Sequence, residues 1–221
     1  MATSAKVLQQ VKKKWVQIYA PSSLHDVFLG ETYVGDFNDA VGKDITVSLM
    51  TLTGEPQKQN IMISFRMTGV RNNTIVTETI GYKMIPSAVR KTMRRGKEKI
   101  EDSFNLSTQD NVKVLVKPLF VTKGRTSNSV LANLRRTARV QIAKTVSSSK
   151  FESLIYDLIT QKFQKTLGDV LRKIYPLSTC EIKYFSAVKK TNDGASPKSV
   201  ENVSAVKETV AEPAVAATAV Q

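Results

Sequence analysis

The sequence predicts an α+β domain, an antiparallel sheet packed with helices, set between a basic N-terminal arm and a low-complexity tail. Three observations carry this. Short runs rich in β-branched and aromatic residues recur between Trp15 and Ile80 with tight turns between the later ones, and closely joined strands pair antiparallel because parallel pairing needs a long crossover. Two later stretches, after Asn128 and after Phe151, keep an apolar period near 3.6. No aromatic residue follows Phe185, and the Ala/Val/Ser/Thr/Lys-rich remainder cannot bury enough apolar area to offset the entropy of ordering it. The predicted organisation is an arm over 1–14, a domain over 15–189 and a disordered tail over 190–221.

The arm ends in Lys12, Lys13 and Lys14, a basic segment without apolar period that would order on a phosphate backbone. Trp15–Ala20 reads as a strand stopped by Pro21. Residues 22–44 read as irregular, punctuated by Gly30, Gly35 and Gly42. Ile45–Met50, Asn60–Met67 and Thr74–Ile80 read as three strands of a meander, with turns at Thr53–Pro56 and Gly69–Asn73. Pro86–Arg95 reads as a helix, with Pro at its first position and Gly96 just past its end. Lys99–Leu106 and Val112–Val121 read as two more strands, the second alternating valines with Lys113 and Lys117. A loop over 123–128 then leads into a helix that Ser127 or Asn128 would cap, with Leu131, Leu134, Ala138 and Ile142 on one face. Ser149–Glu152 reads as a capping box before one or two helices that break near Thr160–Lys162. Thr179–Phe185 is the last strand, with Cys180, Ile182 and Tyr184 on one side.

Charge narrows the function. The net charge is +14, with pI near 9.9. Asn111–Phe151 holds nine Lys or Arg and no Asp or Glu, where an even spread of the chain's 19 acids would place about three or four. A surface that excludes one sign over such a run is suited to a polyanion. The candidate RNA-binding residues are Lys12, Lys13, Lys14, Arg90, Lys91, Arg94, Arg95, Lys97, Lys123, Arg125, Arg135, Arg136 and Arg139 for phosphates. Thr126, Ser127 and Asn128 are candidates for ribose hydroxyls or unpaired bases. A solvated face is the alternative for any one of these cations taken alone.

Catalytic and metal chemistry is missing from the pattern. No phosphate-cradling glycine motif is present, and one cysteine and one histidine exclude a disulfide framework and a Cys- or His-rich metal site. His25-Asp26 reads as a surface loop and Cys180 as a buried thiol. Asp36/Asp39 and Glu101/Asp102 read as exposed charges or helix starts, with no nucleophile nearby. No cofactor, small-molecule substrate or membrane partner is expected, and the N-terminus lacks the apolar core of a signal peptide.

Five strings in order resemble one family: Trp15–Pro21 with Leu29–Thr32, Leu52–Gln59, Met93–Ile100, Arg125–Ser127 before a basic helix, and Lys173–Leu177 before the last strand. The chain resembles the small-subunit ribosomal proteins of the S-three-a (e-S-one) family shared by archaea and eukaryotes, archaeal-like in length. The resemblance implies a barrel-like antiparallel sheet packed with helices. It also implies a structural, non-enzymatic constituent of the small ribosomal subunit that binds rRNA on the platform near the mRNA exit and supports translation in the cytoplasm. The partners so implied are small-subunit rRNA, neighbouring ribosomal proteins and mRNA near the exit. A free-standing RNA-binding or translation-regulating protein is the alternative.

Overall fold

The computed structural model describes residues 12–71 and 74–188; the predicted tail and the first eleven residues of the predicted arm lie outside the described residues. Lys14 is already the first residue of strand β1 (Lys14–Tyr19). It is followed by β2 (Phe28–Val34), β3 (Asp44–Ser48), the short helix α1 (Leu49–Thr53), β4 (Ile61–Arg71) and β5 (Thr74–Met84). Helix α2 (Pro86–Thr92), β6 (Lys99–Glu101), β7 (Phe104–Ser107) and β8 (Lys113–Thr122) come next. Helices α3 (Asn128–Ser148), α4 (Phe151–Ile159) and α5 (Lys162–Arg172) precede the last strand, β9 (Leu177–Ala187).

The meander of β3, β4 and β5 forms as the alternating residues dictate, with Ile61, Ile63, Phe65 and Met67 of β4 all turned into the core. Strand β5 is the hub. One of its edges carries β4 along its length. The other is shared, with β1 parallel to it at Ile75 and Val76 and β9 antiparallel at Gly81–Lys83. Strand β8 then pairs with β9 on one side and with β6 and β7 on the other.

The structure corrects several expectations. The sheet is mixed and open, not barrel-like: its path ends at β2, β3 and the β6/β7 margin, which do not pair with one another. Helices α3, α4 and α5 pack against β7, β5 and β9, so apolar surface is covered by helices where a barrel would cover it by closing. Residues 22–44 are not wholly irregular, because they contain β2. Its buried residues, Leu29 and Val34, are five apart, since Gly30 at φ 154° and an irregularity between Ile18 and Tyr19 break the two-residue period. Gly69–Arg71 belongs to β4 and pairs with β5, so the turn expected at Gly69 begins only after Arg71.

Helix α2 stops at Thr92, not Arg95. Met93 is extended (φ −87°, ψ 116°) and packs on the small cluster of Met84, Val89 and Leu119, leaving Arg94 and Arg95 in a turn. The capping box at Ser149–Glu152 does not form; Asp110 of the β7–β8 turn accepts from Phe151 N at 3.1 Å in its place. In β9 the expected Cys180/Ile182/Tyr184 alternation breaks where the register with β8 shifts beside Pro118, so Ile182 and Phe185 point inward and Tyr184 does not. The expected break between the late helices falls at Gln161, in the left-handed region at φ 60°. The main core gathers Ile63, Phe65, Val116, Phe120, Leu134, Ile142, Leu158 and Leu171 from both halves of the chain.

Candidate nucleic-acid interface

Three basic segments meet where β8 ends, and the buried side chain of Thr122 joins two of them. Glu98 N donates to Thr122 Oγ1 at 2.9 Å, and Thr122 N donates to Glu98 O at 3.0 Å. The same hydroxyl donates onward to Gly124 O at 2.7 Å. The Arg94–Lys97 turn is thereby fixed beside the Lys123–Arg125 loop. The turn before β9 supports both: Lys123 N donates to Pro176 O at 3.0 Å, Tyr175 Oη to Arg125 O at 3.3 Å, and Lys97 Nζ to Ser178 Oγ at 2.7 Å.

Arg90, Lys91, Arg94, Arg95, Lys123 and Arg125 are exposed at this end, and Lys97 is half-buried. A groove of about 560 Å³ runs between α2 and β9, lined by Lys91, Arg94, Lys97, Ser178 and Glu181 among others. Glu181 is its acidic member, and burial raises its carboxyl above the ordinary carboxylate value. Burial, with Glu181 beside it, pushes the Cys180 thiol up to about 12, so Cys180 stays a thiol at neutral pH.

Helix α3 starts at this end. Ser127 stands at its N-cap, but its hydroxyl pairs with Ser129 Oγ at 3.0 Å and does not cap the backbone; Thr126 is half-buried and Asn128 exposed. With no acid in the first turn, the helix start keeps free N–H groups and the positive end of its dipole near Lys123 and Arg125. Arg135, Arg136 and Arg139 are exposed further along α3, Arg139 roughly 17 Å from Asn128 at 1.5 Å per residue. Arg139 is partly engaged, with Nη2 3.9 Å from Asp102 Oδ2 and its guanidinium 5.9 Å from the Phe104 ring centroid.

Strand pairing adds cations that linear reading did not assign. Lys83, Tyr184 and Lys117 sit side by side across β5, β9 and β8, with Lys117 Nζ 5.5 Å from the Tyr184 ring centroid. Beside them Glu101 contacts Lys99 at 3.1 Å and Lys183 at 3.3 Å. Burial raises the Glu101 carboxyl, but the two ammonium groups outweigh it and leave it below its ordinary value. The alternation of Lys113 and Lys117 with valines was the available signal; the row itself requires the register of three strands.

Lys12, Lys13 and Lys14 are exposed but are not brought to this end. Strand β1 meets β5 at Ile75, about nine residues, or roughly 30 Å, before the Met84 end from which α2 departs. Among the described residues, no group of three or more His, Cys, Asp or Glu could hold a metal, and no helix is long and apolar enough to cross a membrane.

The model of the ribosomal S3Ae family matches residues 3–191, which spans every described element. The chain belongs to the ribosomal S3Ae family. It is similar to small ribosomal subunit protein eS1 of Nanoarchaeum equitans, 30% identical over 188 residues that cover 84% of this chain and 93% of that protein. The same-named protein of Methanobrevibacter smithii is 30% identical over 171 residues, covering 77% of this chain and 89% of its own. That of Halorubrum lacusprofundi is 28% identical over 172 residues, covering 78% and 80%. All the basic segments of this S3Ae-family chain described above fall within the matched region.

Proposed function

We propose that this chain is a structural, non-enzymatic constituent of the small ribosomal subunit, whose basic end holds rRNA phosphates on the platform near the mRNA exit. The observation that carries the reading is the convergence at Thr122 of the Arg94–Lys97 turn and the Lys123–Arg125 loop, beside the uncapped start of α3. A flexible polycation would gain the same counterion release, but it would first lose the entropy of ordering its backbone. Here the cations are already placed, so the end recognises the shape of folded RNA more than its sequence. Neighbouring ribosomal proteins and mRNA near the exit complete the proposed surroundings, in the cytoplasm.

The test is incorporation. Arg94→Glu with Arg95→Glu, both exposed and outside any helix, should leave the circular dichroism spectrum native and keep the protein out of small subunits on a sucrose gradient. Normal incorporation of the double variant would remove the basic end from the interface. A native chain that binds RNA yet never sediments with small subunits would make it a free-standing RNA-binding protein.

A further inference from the structure

The outer face of the β1–β2 ribbon carries a strip of aromatic rings far from the basic end. Trp15 stands opposite Tyr33, with ring centroids 5.1 Å apart, and Tyr19 stands opposite Phe28, at 5.9 Å. Between these pairs lie Gln17 and Glu31, also opposite each other. The alternate residues Val16, Ile18, Leu29 and Val34 are buried, so the rings form the solvent side of the ribbon. Trp15 is 69% exposed, Tyr33 52% and Phe28 46%. Cross-strand packing accounts for the pairing of the rings but not for the ring surface left in water. Lys13, on the same face as Trp15, adjoins the strip with its Nζ 5.8 Å from the Tyr33 centroid; Lys12 precedes the strand, and Lys14 alternates to the opposite face with Val16.

We propose that this ribbon face binds single-stranded RNA, with unpaired bases stacked on the Trp15–Tyr33 and Tyr19–Phe28 pairs and phosphates on Lys13 and the adjoining Lys12. Every base has a π face, so exposed rings beside lysines suit an unpaired strand, whereas a duplex keeps its bases stacked on one another. The two aromatic pairs are four residues apart, roughly 13 Å, which leaves space between them for one base edge. There the Gln17 side-chain N–H and the Glu31 carboxylate offer hydrogen bonds, Gln17 Oε1 already accepting from Tyr19 Oη at 3.0 Å and the carboxylate accepting from the exocyclic amine of cytosine. Glu31 repels phosphate, which directs the RNA backbone toward the lysine end. RNA is the favoured partner because it carries a negative charge at every nucleotide beside its π faces, so one ligand suits both the rings and the lysines at their end. The site shares only the class of partner with the basic end.

Trp15 is the chain's single tryptophan, so its fluorescence reports stacking directly. The full chain is titrated with an oligocytidine RNA of about ten nucleotides, and with an RNA duplex of the same length at the same salt. The single strand should quench Trp15, and the duplex should not. Tyr33→Ala and Phe28→Ala should each weaken single-strand binding by about 5- to 150-fold, while Tyr33→Phe, which keeps the ring, should bind as the parent does. The Arg94→Glu, Arg95→Glu variant should still be quenched by the single strand and not by the duplex, whereas Tyr33→Ala should still enter small subunits, so the two sites fail separately. Absent quenching, equal quenching by duplex, or unaltered affinity in Tyr33→Ala would each overturn the proposal. In purified small subunits, ultraviolet crosslinking should leave nucleotide adducts on the ribbon. Crosslinks to peptides alone would give the strip to a protein.

Discussion

At the scale of single residues, Gly81 shows how closely two strands approach. A Cβ added there would lie 2.6 Å from Phe185 O and 2.8 Å from Ser186 Cβ. In an open strand, Gly→Ala stabilises by about 0.4–1 kcal/mol through the unfolded chain. Here the obstacle is backbone, which cannot step aside as a flexible side chain can. Forcing an extra carbon into such a place costs typically 1–3 kcal/mol, so the clash should win. Gly81→Ala should lower the denaturant midpoint without changing the m-value. A raised midpoint would mean that β5 and β9 are not held at this distance. Nothing in the linear sequence marked Gly81, because the carbonyl it accommodates is about a hundred residues away.

Among the elements, those with their own periodicity were legible and those that depend on a neighbour were not. The buried face of α3, the amphipathic late helices and the β3–β4–β5 meander all follow from local spacing. Strand β2 did not, because Leu29 and Val34 become core positions only when β1 lies alongside. Missing β2 also hid the aromatic strip, since Trp15 was read as one strand residue without its cross-strand partner Tyr33. The end of α2 was missed because Met93 leaves the helix for a tertiary contact with Met84 and Leu119.

The joining of two loops at Thr122 is likewise invisible in the chain order, and it makes an element-scale prediction. Thr122→Val keeps the shape but removes the hydroxyl that accepts from Glu98 N and donates to Gly124 O. Leaving buried polar groups without partners costs about 1–3 kcal/mol. The variant should exchange the Glu98 amide hydrogen faster and bind rRNA more weakly, although no charge is lost. Unchanged exchange at Glu98 would show that the loops are held without Thr122.

For the whole molecule, the +14 charge makes salt the natural variable. Affinity for rRNA should fall steeply with salt, each phosphate contact adding about 0.7 to 0.9 to the slope of log affinity against log salt. The Arg94→Glu, Arg95→Glu variant should flatten that slope by about 1.4 to 1.8, the share of two contacts. A slope equal to the parent's would show that these arginines touch no phosphate. The carboxylate-free run over 111–151 was legible from composition alone. The division of the cations into a convergent end, a row across β5, β9 and β8, and the separate Lys12–Lys14 group was not, because it depends on which strands are neighbours.

The place of β9 has a consequence in time. This last strand lies between β5 and β8, and it is the link through which the sheet path runs from the early meander to the later strands. As the chain is synthesised, about ninety residues separate the end of β5 from the start of β9, or roughly 5 to 20 s of elongation. By the end of that interval the free edge of β8 and much of the core are still uncovered, while 28 of the 33 Lys and Arg precede β9 in the chain. The early half of the sheet can pair as it is made, but its join to β8 waits for the final strand, so the later, more basic half of the domain is the last to be fixed in place.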